Sequence, residues 1–168
     1  MHKTLAEYIL HLKDAMPLDM CQKIIETYDS VSKSDPNYLK RKNKIFDFDE
    51  INMLNHDAFI DFRKPMGELM QAVNNFYMDK THNALKDRLV CYEALKDYEA
   101  PRVKRYEPNQ GIFDWHIDAS DQNSAKRAVV MFWYLNDVAE GGETIFDIGE
   151  EVAIKPEAGS VVCFPPTW

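Results

Sequence analysis

The feature that most limits the fold lies in the second half of the chain. From Ala94 onward the apolar residues come in short blocks spaced for strands. Arg102-Val103-Lys104-Arg105-Tyr106 alternates, and residues 112–118 alternate more clearly, so each stretch reads as a half-buried strand. Residues 128–135 form a continuous run rich in β-branched and aromatic side chains, bounded by Asn136-Asp137. Its length and composition predict a buried strand rather than a helix. Residues 144–146, 152–154 and 160–164 supply three further short strands. Glu140-Gly141-Gly142-Glu143 reads as a turn, and Pro156 and Gly159 mark the turn before the last strand.

The first half has a different period. Leu5, Tyr8, Ile9 and Leu12 fall at i, i+3, i+4 and i+7, which predicts a helical face. Pro17 can open a second helix, where its missing N–H costs nothing, and Cys21, Ile24, Ile25 and Tyr28 repeat the spacing. Residues 29–50 are polar and interrupted by Ser-Asp-Pro, so they read mostly as loop. Asn55 is a candidate cap for a stripe made by Phe59, Phe62, Met66, Leu69, Met70, Val73, Phe76 and Tyr77. Pro65 predicts a kink or two helices meeting there. The stripe, with Met78 beside it, reads as core. The expectation is one α+β domain over residues 1–168. Residues 1–93 are mainly helical in this reading, and residues 94–168 form a β-sandwich or barrel that those helices cover.

Composition removes several function classes. Hydrophobic residues at 45% and charged residues at 29% exclude a disordered or fibrous chain. No stretch approaches the ~20 apolar residues of a membrane span, and Glu7 and Lys13 interrupt what a secretory signal needs. The net charge of −8, with no sustained basic stripe, makes nucleic acid a poor partner. The basic cluster Lys40-Arg41-Lys42 with Lys44 is followed at once by Asp47, Asp49 and Glu50, and reads as a solvated loop. Three cysteines, Cys21, Cys91 and Cys163, lie far apart and are odd in number, so neither a disulfide framework nor a CxxC zinc site is expected. A soluble cytoplasmic protein is the expectation.

The chemistry centres on His116-Ile117-Asp118. In a strand, residues i and i+2 share a face, so this imidazole and carboxylate would project side by side. One nitrogen and one carboxylate oxygen suit iron(II), manganese or zinc. Alone, the triplet is weak, because a short pattern of this kind arises by accident. The ordered features around it carry more: a tyrosine ten residues upstream, Phe132-Trp133-Tyr134-Leu135-Asn136 downstream, then Gly-Gly-Glu-Thr and Lys-Pro-x-x-Gly-Ser.

With those features, residues from about Val103 to Phe164 resemble the catalytic core of the prolyl 4-hydroxylase branch of the iron(II)/2-oxoglutarate-dependent dioxygenases. The resemblance implies a double-stranded β-helix, or jelly roll, with N-terminal helices packed on one sheet. It implies His116 and Asp118 as two ligands of a 2-His-1-carboxylate iron centre. It also implies Tyr106, Tyr134 and Thr144 as residues touching the cosubstrate. Iron(II) and 2-oxoglutarate are the implied cofactors, with ascorbate a further candidate. The implied partners are dioxygen and a peptide or amino-acid substrate hydroxylated at a C–H bond, a prolyl residue first among them. Asp118 to Ser124, a polar loop, and residues 29–50 are the two candidate lids over such a site.

One departure stands out. The family's third ligand is a histidine shortly after the strand that here ends Cys163-Phe164, and a Lys or Arg about ten residues later pairs with the far carboxylate of 2-oxoglutarate. Neither is present. His2, His11, His56 and His82 all lie upstream and read as surface or packing residues. The expectation is therefore a fragment lacking the last jelly-roll strands, binding iron weakly and turning over poorly. Two other readings remain open: a non-catalytic jelly-roll binding module, and a cupin-like metalloprotein using zinc or manganese without 2-oxoglutarate.

Overall fold

The computed structural model describes residues 4–82 and 97–167, and within them places three small antiparallel sheets and two helices. The first sheet has the order β1 (Leu10–Leu12), β9 (Val161–Phe164), β6 (Val130–Trp133). The second is built on β3 (Phe46–Asn52), which pairs β2 (Tyr38–Lys42) on one side and β4 (Arg102–Arg105) and β5 (Ile112–Phe113) on the other. The third is a hairpin of β7 (Thr144–Asp147) and β8 (Glu151–Ile154). The helices are α1 (Leu18–Ser30) and α2 (Ile60–His82). None of the described helices is long and apolar enough to cross a membrane.

The strand β9 explains how the layers meet. All four of its residues are buried, because it is central in its sheet and covered on both faces. Val161 and Cys163 face Val73 and Tyr77 of α2, while Val162 and Phe164 pack with Phe146 and Ile154 of the β7–β8 hairpin. That alternation is the two-residue period of a strand spent on two separate apolar clusters. A third cluster joins Cys21, Ile24 and Tyr28 of α1 to Ile51, Val103, Phe59 and Met66, and so fastens the second sheet to both helices. Gly159, in the turn before β9, has φ +78, and a Cβ there would lie 2.5 Å from the Met16 carbonyl oxygen. Only glycine fits.

Several expectations need correction. The face at Leu5 to Leu12 is not one helix: a single 3-10 turn (Leu5–Tyr8) leads into β1, whose residues pair with β9. Backbone pairing with a buried strand outcompetes eight residues of weak helical periodicity. Residues 29–50 are not mostly loop, since β2 and the first part of β3 lie there. Lys40, Arg41 and Lys42 sit on an exposed edge strand opposite Asp49, Phe48 and Asp47, with Arg41 bonded to Glu50 and Lys42 to Asp47. Cross-strand charge pairing keeps so polar a hairpin in register. The cap before α2 is His56, whose Nδ1 accepts from the Ala58 N–H, rather than Asn55. α2 runs through Pro65 as one helix instead of two.

The β half differs as well. Residues 114–118 are irregular, so β5 stops at Phe113 and the His116-Ile117-Asp118 triplet is not on a strand. The run at 128–135 contains β6, but that strand is only half-buried. Strands at β4, β7, β8 and β9 lie where alternation and turn chemistry put them. The α+β class holds. Among the described residues the strands form three separate sheets, one of which unites β2 and β3 with β4 and β5, and these do not by themselves show the jelly roll. Cys21 and Cys163 are free and buried, whereas His2, Cys91 and Trp168 lie outside the described residues.

Candidate metal and cosubstrate site

The five candidate residues fall into two groups. His116 and Asp118 lie in the irregular segment after β5, with Nε2 of the imidazole 3.8 Å from Oδ1 of the carboxylate. Without a strand, other contacts must bring them together. The His116 ring stacks on Phe113 at 3.8 Å between centroids and 14° between planes. Its Nδ1 lies 2.6 Å from the Asp114 carbonyl oxygen. A carbonyl only accepts, so that contact puts the proton on Nδ1 and leaves the Nε2 lone pair directed elsewhere, the usual anchoring of a ligand histidine. On the Asp118 side, Nη1 of Arg127 donates to the Asp118 backbone carbonyl at 2.6 Å. The same guanidinium grips Glu99 through two bonds of 2.7 and 3.1 Å. Ala119 N–H bonds the Pro166 carbonyl, tying the loop to the end of β9.

The donor chemistry fits a metal ion. Bonds of ~2.0–2.2 Å to an imidazole nitrogen and a carboxylate oxygen together exceed the 3.8 Å separation, so one ion can touch both. Among the described residues no third His, Cys, Asp or Glu joins them in a metal-holding group. His11 pairs with Val162 in β1, and His56 lies 3.4 Å from Asp35, so neither is a displaced ligand.

Tyr134 and Thr144 form the second group. The Tyr134 hydroxyl lies 2.6 Å from Oγ1 of Thr144 and 3.4 Å from the Ile154 carbonyl oxygen. Burial raises the Tyr134 phenol above its ordinary range, and the Thr144 contact partly opposes that. Tyr106 stands between the groups. Its hydroxyl has no hydrogen-bond partner among the described residues, and the side chain stays 43% exposed. Desolvation by the surrounding protein nevertheless drives its pKa up strongly, helped by the charges of Glu50 and Asp118 and by Tyr134. Gly111 makes its position possible, because a Cβ there would meet Tyr106 Cβ at 2.6 Å, and the Gly111 N–H closes the intervening turn onto Glu107.

Next to His116 and Asp118 opens a cavity of about 550 Å³. Phe113, Ile117, Ile45 and Phe46 give it an apolar side, and Arg102, Arg127, Glu99 and Asp121 a charged one. Both candidate lids contribute: Ser120, Asp121, Asn123 and Ser124 from the first, Ile45 and Phe46 from the second. The first is a structured turn in which the Asp121 carboxylate accepts from the Asn123 and Ser124 N–H groups. Tyr106, Tyr134 and Thr144 do not line this opening.

A family model described as the 2OG-Fe(II) oxygenase superfamily matches residues 101–168, the stretch that holds β4 to β9 and all five candidates. That stretch, 68 of the 168 residues, is similar to the superfamily. The superfamily's description names 2-oxoglutarate and iron(II). No curated protein and no solved structure matches the chain. Beyond the matched pattern, the structure adds neighbours of the candidate site that sequence reading passed over: Phe113, Arg127 with Glu99, and Lys104 on β4. Lys104 had a visible signal, since it precedes Tyr106 by two residues in an alternating stretch. Arg127 had none, because its partner Glu99 is 28 positions away.

Proposed function

We propose that this protein is an iron(II)- and 2-oxoglutarate-dependent hydroxylase, in which His116 and Asp118 supply two of the metal ligands. One observation carries the reading. The His116 imidazole is anchored through Nδ1 and through its stack on Phe113, so that Nε2 faces Asp118 with no hydrogen bond of its own among the described residues. Bound there, iron(II) would supply oxidative chemistry that couples decarboxylation of 2-oxoglutarate to hydroxylation of a C–H bond. The chain's own residues do the rest. Phe113 fixes the imidazole plane, Arg127 holds the Asp118 backbone, and Tyr106 presents a hydroxyl to the cosubstrate. Tyr134 and Thr144, already bonded to each other, form the wall behind it.

The substrate we favour is a prolyl or other amino-acid side chain within a peptide or protein. The cavity beside the metal pair supports it: its volume of about 550 Å³ has room for an amino-acid side chain, and its apolar side would shield the reacting C–H bond from water.

Anaerobic titration of the protein with iron(II) and 2-oxoglutarate tests the assignment. The intact protein should develop the visible charge-transfer absorbance of a metal-bound 2-oxo acid. His116→Ala and Asp118→Ala should abolish it while leaving the circular dichroism unchanged. Variants that keep the absorbance sink the ligand assignment. Tight zinc binding with no response to 2-oxoglutarate would instead favour the cupin-like reading.

A further inference from the structure

The chain reaches His116 by leaving the second sheet at its last rung. β5 pairs β3 through Ile112 with Asp47 and Phe113 with Phe46. One position further on, the Asp114 N–H donates to the Ile45 carbonyl at 2.6 Å and extends the same pairing. The Asp114 carbonyl in turn meets Nδ1 of His116, also at 2.6 Å. Two consecutive backbone contacts therefore run from the β2–β3 turn to the imidazole.

The turn that carries Ile45 is short and exposed, and Asn43 holds it. The Asn43 backbone N–H donates to the Phe46 carbonyl at 2.9 Å. Its side-chain Oδ1 accepts from the Ile45 N–H at 2.8 Å and from the Phe46 N–H at 3.0 Å. The Ile45 carbonyl and the Phe46 N–H belong to one planar peptide, so fixing the second aims the first. The stack of His116 on Phe113 cannot do the same work. A stack sets the plane of the ring, but a ring turned over by half a rotation stacks equally well. The Asp114 carbonyl does tell the two nitrogens apart, because it accepts only from the one that carries the proton.

We propose that Asn43 is a positioning residue for His116. By fixing the peptide between Ile45 and Phe46 it seats the Asp114 carbonyl, which keeps the imidazole proton on Nδ1 and the Nε2 lone pair toward Asp118. The hold on the imidazole stands on these contacts alone; its consequence for a metal rests on the hydroxylase reading.

Long-range nitrogen–proton NMR of the metal-free protein gives the test, in mildly alkaline buffer where an imidazole is neutral. The intact protein should show His116 as a single tautomer protonated on Nδ1. Asn43→Ala should turn that signal into a mixture of tautomers and speed solvent exchange of the Asp114 amide several-fold. Asn43 is not among the residues with positive φ, so alanine brings no backbone strain. Asn43→Asp keeps an oxygen acceptor in the same place and should restore both the single tautomer and the slow exchange. Both signals are read well below melting, so a less stable variant still answers. A tautomer that stays single in Asn43→Ala overturns the proposal, whatever happens to the melting temperature. A mixture that persists equally in Asn43→Asp overturns it too. Manganese affinity, followed by electron paramagnetic resonance, should fall roughly tenfold in Asn43→Ala and recover in Asn43→Asp. If no form binds manganese while the tautomer responds as described, the metal assignment fails and the positioning role stands.

Discussion

The region around β9 and the region around β4 and β5 treat their side chains in opposite ways. In the first, Val161, Val162 and Cys163 have no exposed surface, and aromatic rings pack edge to face, as Phe146 does with Phe164 at 4.8 Å. In the second, Ile112, Phe113 and Tyr106 stay more than a third exposed. Two tyrosines make the contrast concrete: the Tyr134 hydroxyl is bonded to Thr144, whereas the Tyr106 hydroxyl has no partner among the described residues. An unpartnered atom does not by itself mark a site. The packed region tolerates orphaned ring nitrogens on His11 and Trp133. What distinguishes the β4–β5 side is the company: the Lys104 ammonium over two aromatic rings, a free hydroxyl and an unshared imidazole nitrogen grouped around one carboxylate. On the proposed reading, the packed region excludes ligands and the β4–β5 side receives them.

The largest effect expected from breaking this contrast comes from paired aromatic truncations. Phe164→Ala should cost about 3–5 kcal/mol of unfolding free energy, because it opens a cavity between β9 and the β7–β8 hairpin. Phe113→Ala, at a side chain already 37% exposed, should cost no more than ~1 kcal/mol, yet weaken metal binding by releasing the His116 ring. Urea titrations followed by fluorescence, alongside manganese affinities, check both. Similar stability losses for the two variants would mean that the β4–β5 side is ordinary core.

Arg127 offers a sharper cut within the open region. Its bonds to Glu99 and to the Asp118 carbonyl would orient Asp118 as a ligand without touching the metal. Arg127→Met should lower manganese affinity by roughly 10- to 100-fold, the usual range for outer partners of a metal ligand. Stability should change by less than about 1 kcal/mol, since the Glu99 pair is solvent-exposed. Unchanged affinity would show that Asp118 needs no such brace.

The two regions also differed in how much of them could be read in advance. Turn residues at Gly141-Gly142 and Gly159, with β-branched runs between them, marked β7, β8 and β9 correctly, because those elements are local and their signals lie within them. Leu10 to Leu12 became a strand only because β9 offers it a partner about 150 positions away, which no local window contains. The β2–β3 hairpin was hidden by its charges. Lys40, Arg41 and Lys42 resemble a loop until Asp49 and Asp47 stand opposite and Glu50 bonds Arg41, with Asn43 Oδ1 capping the turn. In the candidate site, the sequence singled out His116 and Asp118, which lie 3.8 Å apart, but not what holds them there. Alternation over residues 112–118 promised a strand, and instead a ring stack and a carbonyl contact hold them close together. The Lys104 ammonium sits over Phe48 and Phe113, which three-dimensional pairing of β3 with β4 and β5 brings together.

The smallest predicted effect tests the tyrosines directly. Tyr134→Phe removes a hydroxyl that is half-buried and bonded to Thr144, leaving the Thr144 hydroxyl to find another partner, so unfolding free energy should fall by about 0.5–1.5 kcal/mol. Tyr106→Phe removes a hydroxyl that has no hydrogen-bond partner among the described residues, so stability should stay within ~0.5 kcal/mol of the unaltered protein. The order reverses for ligand. Affinity of the manganese form for 2-oxoglutarate should fall several-fold in Tyr106→Phe and less in Tyr134→Phe, whose hydroxyl would have to leave Thr144 to reach a ligand. Equal stability losses would place Tyr106 in the same structural role as Tyr134. Equal affinity losses would place both hydroxyls at the cosubstrate and move Thr144 from a wall residue to part of the binding surface.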